Sequence, residues 1–98
     1  MSGGHFDYSQ HHILEIAEEI DKIVSDNNNA NECEFGGTIG RQYRPDVIAR
    51  FQAAAYLLRA SYAYAQRIDW LLSGDDGEDC FISRLNDDLA KIDMERKR

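Results

Sequence analysis

The amino-acid sequence predicts an all-α protein of one domain, in which an antiparallel helical hairpin with one long central helix is joined by one further helix. Three segments repeat apolar residues at the spacing of a helix face, and no segment shows the sustained apolar–polar alternation of a strand. A chain of 98 residues is also too short for two ordinary domains. We therefore expect helices over about 9–25, 45–73 and 76–95, with a loop over 26–44.

The first helix is predicted from one apolar stripe that has acidic residues outside it. Asp7 or Ser9 stands where an N-cap would lie, because either side chain can accept hydrogen bonds from the first free backbone N–H groups. We expect the helix to end near Ser25, before three consecutive asparagines. The stripe consists of Ile13, Ile16, Ala17, Ile20, Ile23 and Val24.

The loop over 26–44 is long for a connection inside a compact domain. Its asparagines and glycines disfavour a helix. Its length indicates either a flexible surface connection or a segment with a function of its own, and the sequence leaves both possibilities open.

The second helix begins at Pro45, where the missing backbone N–H has no cost. Of the 26 residues from Val47 to Leu72, 19 are apolar or aromatic, and they form two faces rather than one. Two shorter helices with narrow stripes cannot cover both faces, so we expect an oligomeric bundle, either a homodimer or a larger ring. The first face holds Val47, Phe51, Ala54, Ala55, Leu58, Tyr62, Ala65 and Leu72, and the second holds Ala49, Ala53, Leu57, Ala60, Tyr64 and Leu71.

The third helix follows a strong stop signal at 73–77. Gly74 suits the left-handed residue after a helix end, and Asp75 or Asp76 can cap the next helix. Acids at the start of this helix and cations at its end both agree with the helix dipole. Its apolar stripe consists of Phe81, Ile82, Leu85, Leu89 and Ile92.

The charge of the chain disfavours several classes of partner. Eleven basic and 18 acidic side chains leave a formal net charge of −7, so we expect no nucleic-acid partner, because this field repels phosphates. We also expect no membrane span and no secretory signal, since neither pattern occurs. Cys33 and Cys80 are too few for a disulfide framework or a zinc site. The prediction is a cytoplasmic protein without a metal or another cofactor.

A polar seam on the second helix is the first candidate site. Gln52, Arg59 and Gln66 recur every seven residues between the two apolar faces. Arginine presents paired donors that match a phosphate or a carboxylate, and aromatic rings offer stacking surfaces. The alternatives are that Arg59 and Gln66 form a solvated stripe, or that Arg59 and Arg67 belong to an ion-pair network rather than to a site. The candidate ligand-binding residues of this helix are Tyr56, Arg59, Gln66, Arg67 and Trp70.

Asp69 falls on the first apolar face, where an unpaired carboxylate would be costly. We expect a buried structural acid whose partner is either Arg67 of another chain or a backbone N–H of the N-terminal arm, residues 2–8. The arm is the second candidate site, because its two glycines let the backbone approach a ligand or a helix closely. The arm could instead simply dock its aromatic rings on the helices. Its candidate ligand-binding residues are His5, Phe6 and Tyr8.

Well-defined catalytic and nucleotide-binding motifs are missing or incomplete in the sequence. No P-loop, nucleophile elbow or dinucleotide fingerprint occurs, and the adjacent His11 and His12 point to different faces of a helix. The clustered acids of 15–21 suggest a magnesium-dependent nucleotide pyrophosphohydrolase. That enzyme needs further acids at Glu-x-x-Asp spacing on a second helix, and the segment 47–72 offers only Asp69. We therefore predict no catalytic residues, with this enzyme as the alternative.

Two stretches of the chain resemble a family of small uncharacterised phage and prophage proteins. They are Met1-Ser-Gly-Gly-His-Phe-Asp-Tyr8 and Tyr64-Ala-Gln-Arg-Ile-Asp-Trp-Leu-Leu-Ser-Gly-Asp-Asp-Gly-Glu78, and the likeness covers about 1–25 and 45–90. The relatives carry a longer, more charged and aromatic loop where this chain has 26–44. The resemblance implies a phage setting and a helical fold, and no particular activity.

Two hypotheses about function follow from these observations. The first is a non-catalytic phage-type protein that sequesters an anionic nucleotide-type signalling molecule of host defence, using the arginine and aromatic cluster. The second is a protein-interaction module whose apolar or acidic surface engages a host or phage protein. An ordered cluster around Arg59 favours the first hypothesis, whereas a large exposed apolar patch favours the second.

Overall fold

The computed structural model describes residues 6–32 and 36–96. It contains three α-helices, α1 (His11–Asp26), α2 (Pro45–Leu72) and α3 (Glu78–Arg96), and every regular element within the described residues is helical. The prediction of an all-α protein is therefore confirmed. The helix bounds lie within two residues of the predicted ones at each end. No helix in the described part of the chain is both long and apolar enough to cross a membrane.

The central element is α2, which packs against both outer helices. Within the described residues, no Cα atom of α1 lies within 8 Å of a Cα atom of α3. Gln10, just before α1, contacts Gln66 near the end of α2, while Asp21 in the second half of α1 contacts Arg59. These contacts show that α1 and α2 run in opposite directions. The turn at 73–77 then returns the chain, so that α3 lies along another side of α2.

The three helices form a flat slab rather than a sphere. The principal extents are 52 × 28 × 15 Å and the radius of gyration is 17.0 Å, whereas a compact domain of this length has a radius of about 13 Å. A thickness of 15 Å corresponds to one layer of helices. The apolar core of the described residues is correspondingly thin and consists of Ala17, Ala55, Ala63 and Leu85.

The predicted N-cap of α1 is wrong. Gln10 occupies the N-cap position, and its side chain makes no capping hydrogen bond. Asp7 and Tyr8 have positive φ angles of 55° and 60°, in a turn where the Ser9 N–H donates to the Phe6 carbonyl. This turn sends the Gln10 amide into the interface between α1 and α2, where a buried acceptor holds it. A distant partner therefore replaces the local cap that the sequence pattern predicts.

The C-terminal end of α2 follows the prediction at Gly74. Its φ angle is 84°, in the left-handed region that glycine adopts readily. The Gly74 N–H donates to the Leu71 carbonyl at 3.2 Å, and the Asp75 N–H donates to the Trp70 carbonyl at 2.9 Å. This pair of bonds is a Schellman motif, which satisfies two of the free carbonyl groups at the helix end. The tight turn brings α3 directly back along α2.

The loop between α1 and α2 folds back on itself around a buried asparagine. Asn27 bonds both backbone groups of Tyr43, with its Nδ2 donating to the carbonyl at 3.1 Å and its Oδ1 accepting from the N–H at 2.9 Å. Further backbone hydrogen bonds link residues 29–31 with 39–40. Residues 33–35 lie outside the described residues. The described part of the loop is thus tied to the end of α1 by hydrogen bonds.

Gly40 provides a test of this closed loop. A Cβ at Gly40 would collide with the backbone oxygens of Asp26 and Asn27. We expect Gly40→Ala to lower the free energy of unfolding by about 1–3 kcal/mol through overpacking, as measured by urea denaturation. The matched control is Gly77→Ala, where a Cβ meets no described atom within 4 Å, and it should change stability by less than about 0.5 kcal/mol. Equal stability of the two variants would contradict the loop geometry.

Candidate functional site

A trough runs along α2 between the two outer helices. Two neighbouring cavities of about 640 and 370 Å³ occupy it, and Arg59, Ile92 and Glu95 line both of them. We use the word trough for these two cavities together. One wall is formed by α1, the other by α3, and the floor by the side of α2 that includes the predicted polar seam. The wall residues are Leu14 and Asp21 of α1 and Asp88, Lys91, Ile92 and Glu95 of α3.

Arg59 stands where the two cavities meet. Its Nη1 atom lies 2.6 Å from Oδ2 of Asp21, so an ion pair joins α2 to α1. About a quarter of the Arg59 side chain and half of the Asp21 side chain remain exposed to solvent. The pair is therefore partly solvated, and its guanidinium group borders both cavities.

Arg67 makes a two-pronged ion pair with Asp88 of α3. Its Nε donates to Oδ2 at 2.7 Å and its Nη2 donates to Oδ1 at 3.1 Å. The guanidinium carbon also lies 4.8 Å from the centroid of the Trp70 ring, which is a cation–π contact. Hydrogen bonding to Asp88 raises the pKa of Arg67 above its ordinary value, so this side chain is charged throughout the physiological range.

The trough is electrically balanced although the chain as a whole is acidic. Its lining contains three basic side chains, Arg59, Arg67 and Lys91, against the three acids Asp21, Asp88 and Glu95. The whole chain carries a formal charge of −7. An anion therefore meets less repulsion in the trough than the average field of the protein would suggest.

Asp69 is fully buried in the interface between α1 and α2. Its Oδ1 accepts a hydrogen bond from the Phe6 N–H at 3.3 Å, and its Oδ2 accepts one from Nε2 of Gln10 at 2.9 Å. The same Gln10 nitrogen donates to Oε1 of Gln66 at 2.7 Å, which connects this cluster to the trough. The expected burial of Asp69 is thus observed, and one of its partners is a backbone N–H of the arm, while Arg67 is engaged by Asp88.

The described part of the N-terminal arm docks on the helices beside Asp69. The Tyr8 ring stacks on His11 with 6.1 Å between centroids, and the His11 ring lies 5.7 Å from that of Tyr62. Neither Phe6 nor Tyr8 lines the two cavities of the trough. The third predicted residue of the arm, His5, lies outside the described residues. In this structure the arm and the trough are therefore neighbouring but separate features.

The five candidate residues of α2 all line the trough, and two of their partners were not predicted. The sequence pattern did not identify Asp21 and Asp88 as the acids that pair with the arginines, although Asp21 belongs to the acidic cluster of 15–21. Asp88 lies three residues after Leu85 in the apolar register of α3, and Asp21 lies four residues after Ala17 in that of α1. An acid in an apolar register was the signal that could have identified both. The five candidate residues are Tyr56, Arg59, Gln66, Arg67 and Trp70.

Comparisons with other proteins do not indicate a function for this trough. No protein-family model matches the chain, and no curated protein or solved structure matches it. Among the described residues, no group of three or more histidine, cysteine, aspartate or glutamate side chains is placed to hold a metal ion. The chemistry of the trough itself must therefore support any proposal about function.

Removal of the buried acid tests the Asp69 cluster. We expect Asp69→Ala to lower the free energy of unfolding by on the order of 3 kcal/mol, because the Phe6 N–H and the Gln10 amide lose a charged acceptor inside the protein. Urea denaturation followed by circular dichroism measures this change. Glu18→Ala removes an exposed acid from α1 and is the control, with an expected change below about 0.5 kcal/mol. A similar cost for both variants would show that the cluster contributes nothing particular.

Proposed function

We propose that this protein is a non-catalytic binding protein that sequesters an anionic, nucleotide-type small molecule in the trough. The observation that supports this proposal is the placement of Arg59, Arg67, Gln66 and Trp70 around one cavity. The arginines supply paired donors for phosphate oxygens, and the indole ring supplies a flat surface for a base. The Gln66 amide can bond the edge of a base or a ribose.

The dimensions of the trough suit a molecule of this class. Each of its cavities, at about 640 and 370 Å³, falls within the usual range for small-molecule sites of about 300–1,000 Å³. Arg59 and Arg67 are eight residues apart on α2, which corresponds to a rise of about 12 Å. A ligand that spans both cavities would therefore meet one arginine in its middle and the other toward its end.

The ion pairs supply a mechanism for taking up an anion. Without a ligand, Asp21 and Asp88 satisfy the two arginines. A phosphate group presents the same paired oxygens and competes with each carboxylate for the same donors. All four side chains are partly exposed, so a released carboxylate becomes hydrated at small cost. Binding in this scheme replaces a carboxylate of the protein with a phosphate group of the ligand as the partner of each arginine.

Sequestration of a host defence signal agrees with the phage setting that the sequence resemblance implies. A sequestering protein of this kind acts by stoichiometric binding in the host cytoplasm and needs no catalytic group or cofactor. We also propose that the chain works as an oligomer with the helical hairpin at its centre. The support for this is the apolar surface that the single chain leaves open, which includes Leu57 and Tyr64 of α2.

The same exposed surface favours a second candidate function, that of a protein-interaction module. Several large apolar side chains on all three helices remain in contact with solvent in the single chain. Exposed apolar side chains mark a protein interaction site where they form one contiguous patch. In this alternative the trough is a structural groove held by ion pairs, and the apolar surface engages a host or phage protein.

Ligand screening by thermal denaturation tests the proposed function. Cyclic dinucleotides, cyclic trinucleotides and ADP-ribose derivatives are added separately to the purified protein. A ligand at 100 times its dissociation constant stabilises the fold by about 2.7 kcal/mol, which raises the melting temperature measurably. Arg59→Ala and Arg67→Ala should each abolish that rise. Arg84→Ala is the matched control, since Arg84 pairs with Asp76 and lines neither cavity, and it should keep the rise. If no compound shifts the wild type, the interaction module becomes the better account.

A second variant tests the exchange of anions directly. We expect Asp88→Asn to bind the same ligand about fivefold more tightly, because an ion pair worth about 1 kcal/mol no longer competes for Arg67. Isothermal titration calorimetry measures the two dissociation constants. Weaker binding by Asp88→Asn would show that the carboxylate positions Arg67 for the ligand rather than competing with it.

A further inference from the structure

The side of α2 that faces away from the trough carries a second regular pattern. Ala54, Leu57, Ser61, Tyr64 and Ile68 follow one another at alternating steps of three and four residues. This alternation is the spacing of a helix that packs along another helix in a coiled-coil manner. We call these five residues the back seam.

The middle of the back seam is exposed to solvent in the single chain, and its two end residues, Ala54 and Ile68, are partly exposed. At about 100° per residue, its members lie about 100–180° around α2 from Ala63 on the floor of the trough. Leu57 is 61% exposed and Tyr64 is 47% exposed. On α1, Ile16 is 51% exposed, and the contacts of Gln10 with Gln66 and of Asp21 with Arg59 place it at the level of Ser61. Ile16 also lies about 160° around α1 from Leu14, which lines the trough. The open apolar surface therefore extends from α2 onto α1.

We propose that the back seam is the contact between two copies of this chain, with the two α2 helices packed side by side in opposite directions. We assign the seam to a second copy because its residues complement the same residues of an identical helix that runs in the opposite direction. In that arrangement Leu57 of one copy faces Tyr64 of the other. Ser61 lies close to the two-fold axis, where its small side chain allows the two helices to approach closely.

Charge at the two ends of the seam favours the antiparallel direction. Arg50, four residues before Ala54, is exposed near the start of α2, and Asp75 is exposed just after its end. Antiparallel packing brings each arginine toward the negative end of the partner helix and the acid that follows it. Parallel packing would instead place the two Arg50 side chains together. Asp46, at the same end of the helix, is already paired with Arg44.

The available area also fits a second copy. The back seam is continued beyond Ile68 by the exposed Leu72. The α2 surface from Ala54 to Leu72 is about 27 Å long, and α1 and α2 together are about 20 Å wide. Contact over this surface buries about 1,000 Å² in total, which is near the lower bound for a specific interface. The seam shares no residue with the lining of the trough, so this inference stands apart from the proposed ligand.

Size-exclusion chromatography with light scattering tests the seam. The wild type at micromolar concentration should have about twice the 11.2 kDa mass of one chain. Leu57→Glu should halve that mass while the helical circular dichroism signal is retained. Met94→Glu is the matched control, because Met94 is 68% exposed but lies on α3, and this variant should remain a dimer. A monomeric wild type overturns the proposal and would indicate that the seam binds a different protein. A Leu57→Glu variant of unchanged mass also overturns the proposal.

Disulfide trapping tests the direction of packing. The chain with both Cys33 and Cys80 changed to serine is the background. Leu57→Cys and Tyr64→Cys chains are prepared separately and oxidised alone or mixed. Antiparallel packing predicts a cross-linked dimer only in the mixture, because identical positions lie too far apart for a disulfide. Cross-linking of each variant alone, or of none, overturns the proposed arrangement. Ligand-induced stabilisation of Leu57→Glu then reports on the trough separately.

Discussion

The arrangement of this protein depends on α2, a helix of 28 residues that is apolar around most of its circumference. Such a surface requires cover on more than one side, and α1 and α3 supply it by packing at different positions around the helix. Two outer helices cannot surround the central one, so they leave two open sides. One open side is the trough between the outer helices, and the other is the back seam. The features with functional interest are therefore the parts of α2 that its own chain leaves uncovered.

The trough carries charged groups because two arginines of α2 form ion pairs with acids of both outer helices. Arg59 extends to Asp21 on one outer helix, and Arg67 extends to Asp88 on the other. Ion pairs that are partly exposed contribute little to stability, typically about 0–1 kcal/mol. Their effect here is geometric, since each pair holds a guanidinium group at the edge of a cavity and links one wall to the floor. The same charges would make the trough responsive to an anion.

Asp69 connects separate parts of the chain in the buried interface between α1 and α2. A buried carboxylate is costly unless hydrogen bonds satisfy it, and here the donors come from Phe6 in the arm and from Gln10 at the start of α1. One acid thus holds three parts of the chain together: the arm, the first turn of α1 and the last turns of α2. Because Gln10 also donates to Gln66, a disturbance of this cluster reaches the lining of the trough.

The sequence by itself determined the three helices, since the spacing of apolar residues depends on local helix geometry, and the helix bounds agree within two residues. It likewise identified the left-handed Gly74 and the interior position of Asp69, because both follow from their place in a local pattern. The partners of Arg59 and Arg67 were decided only by the tertiary structure, since they join residues on different helices whose packing no local pattern specifies. The N-cap of α1 shows the same limit. Gln10 is held by an acid 59 residues away, and this long-range hydrogen bond overrides the local signal of Asp7 and Ser9.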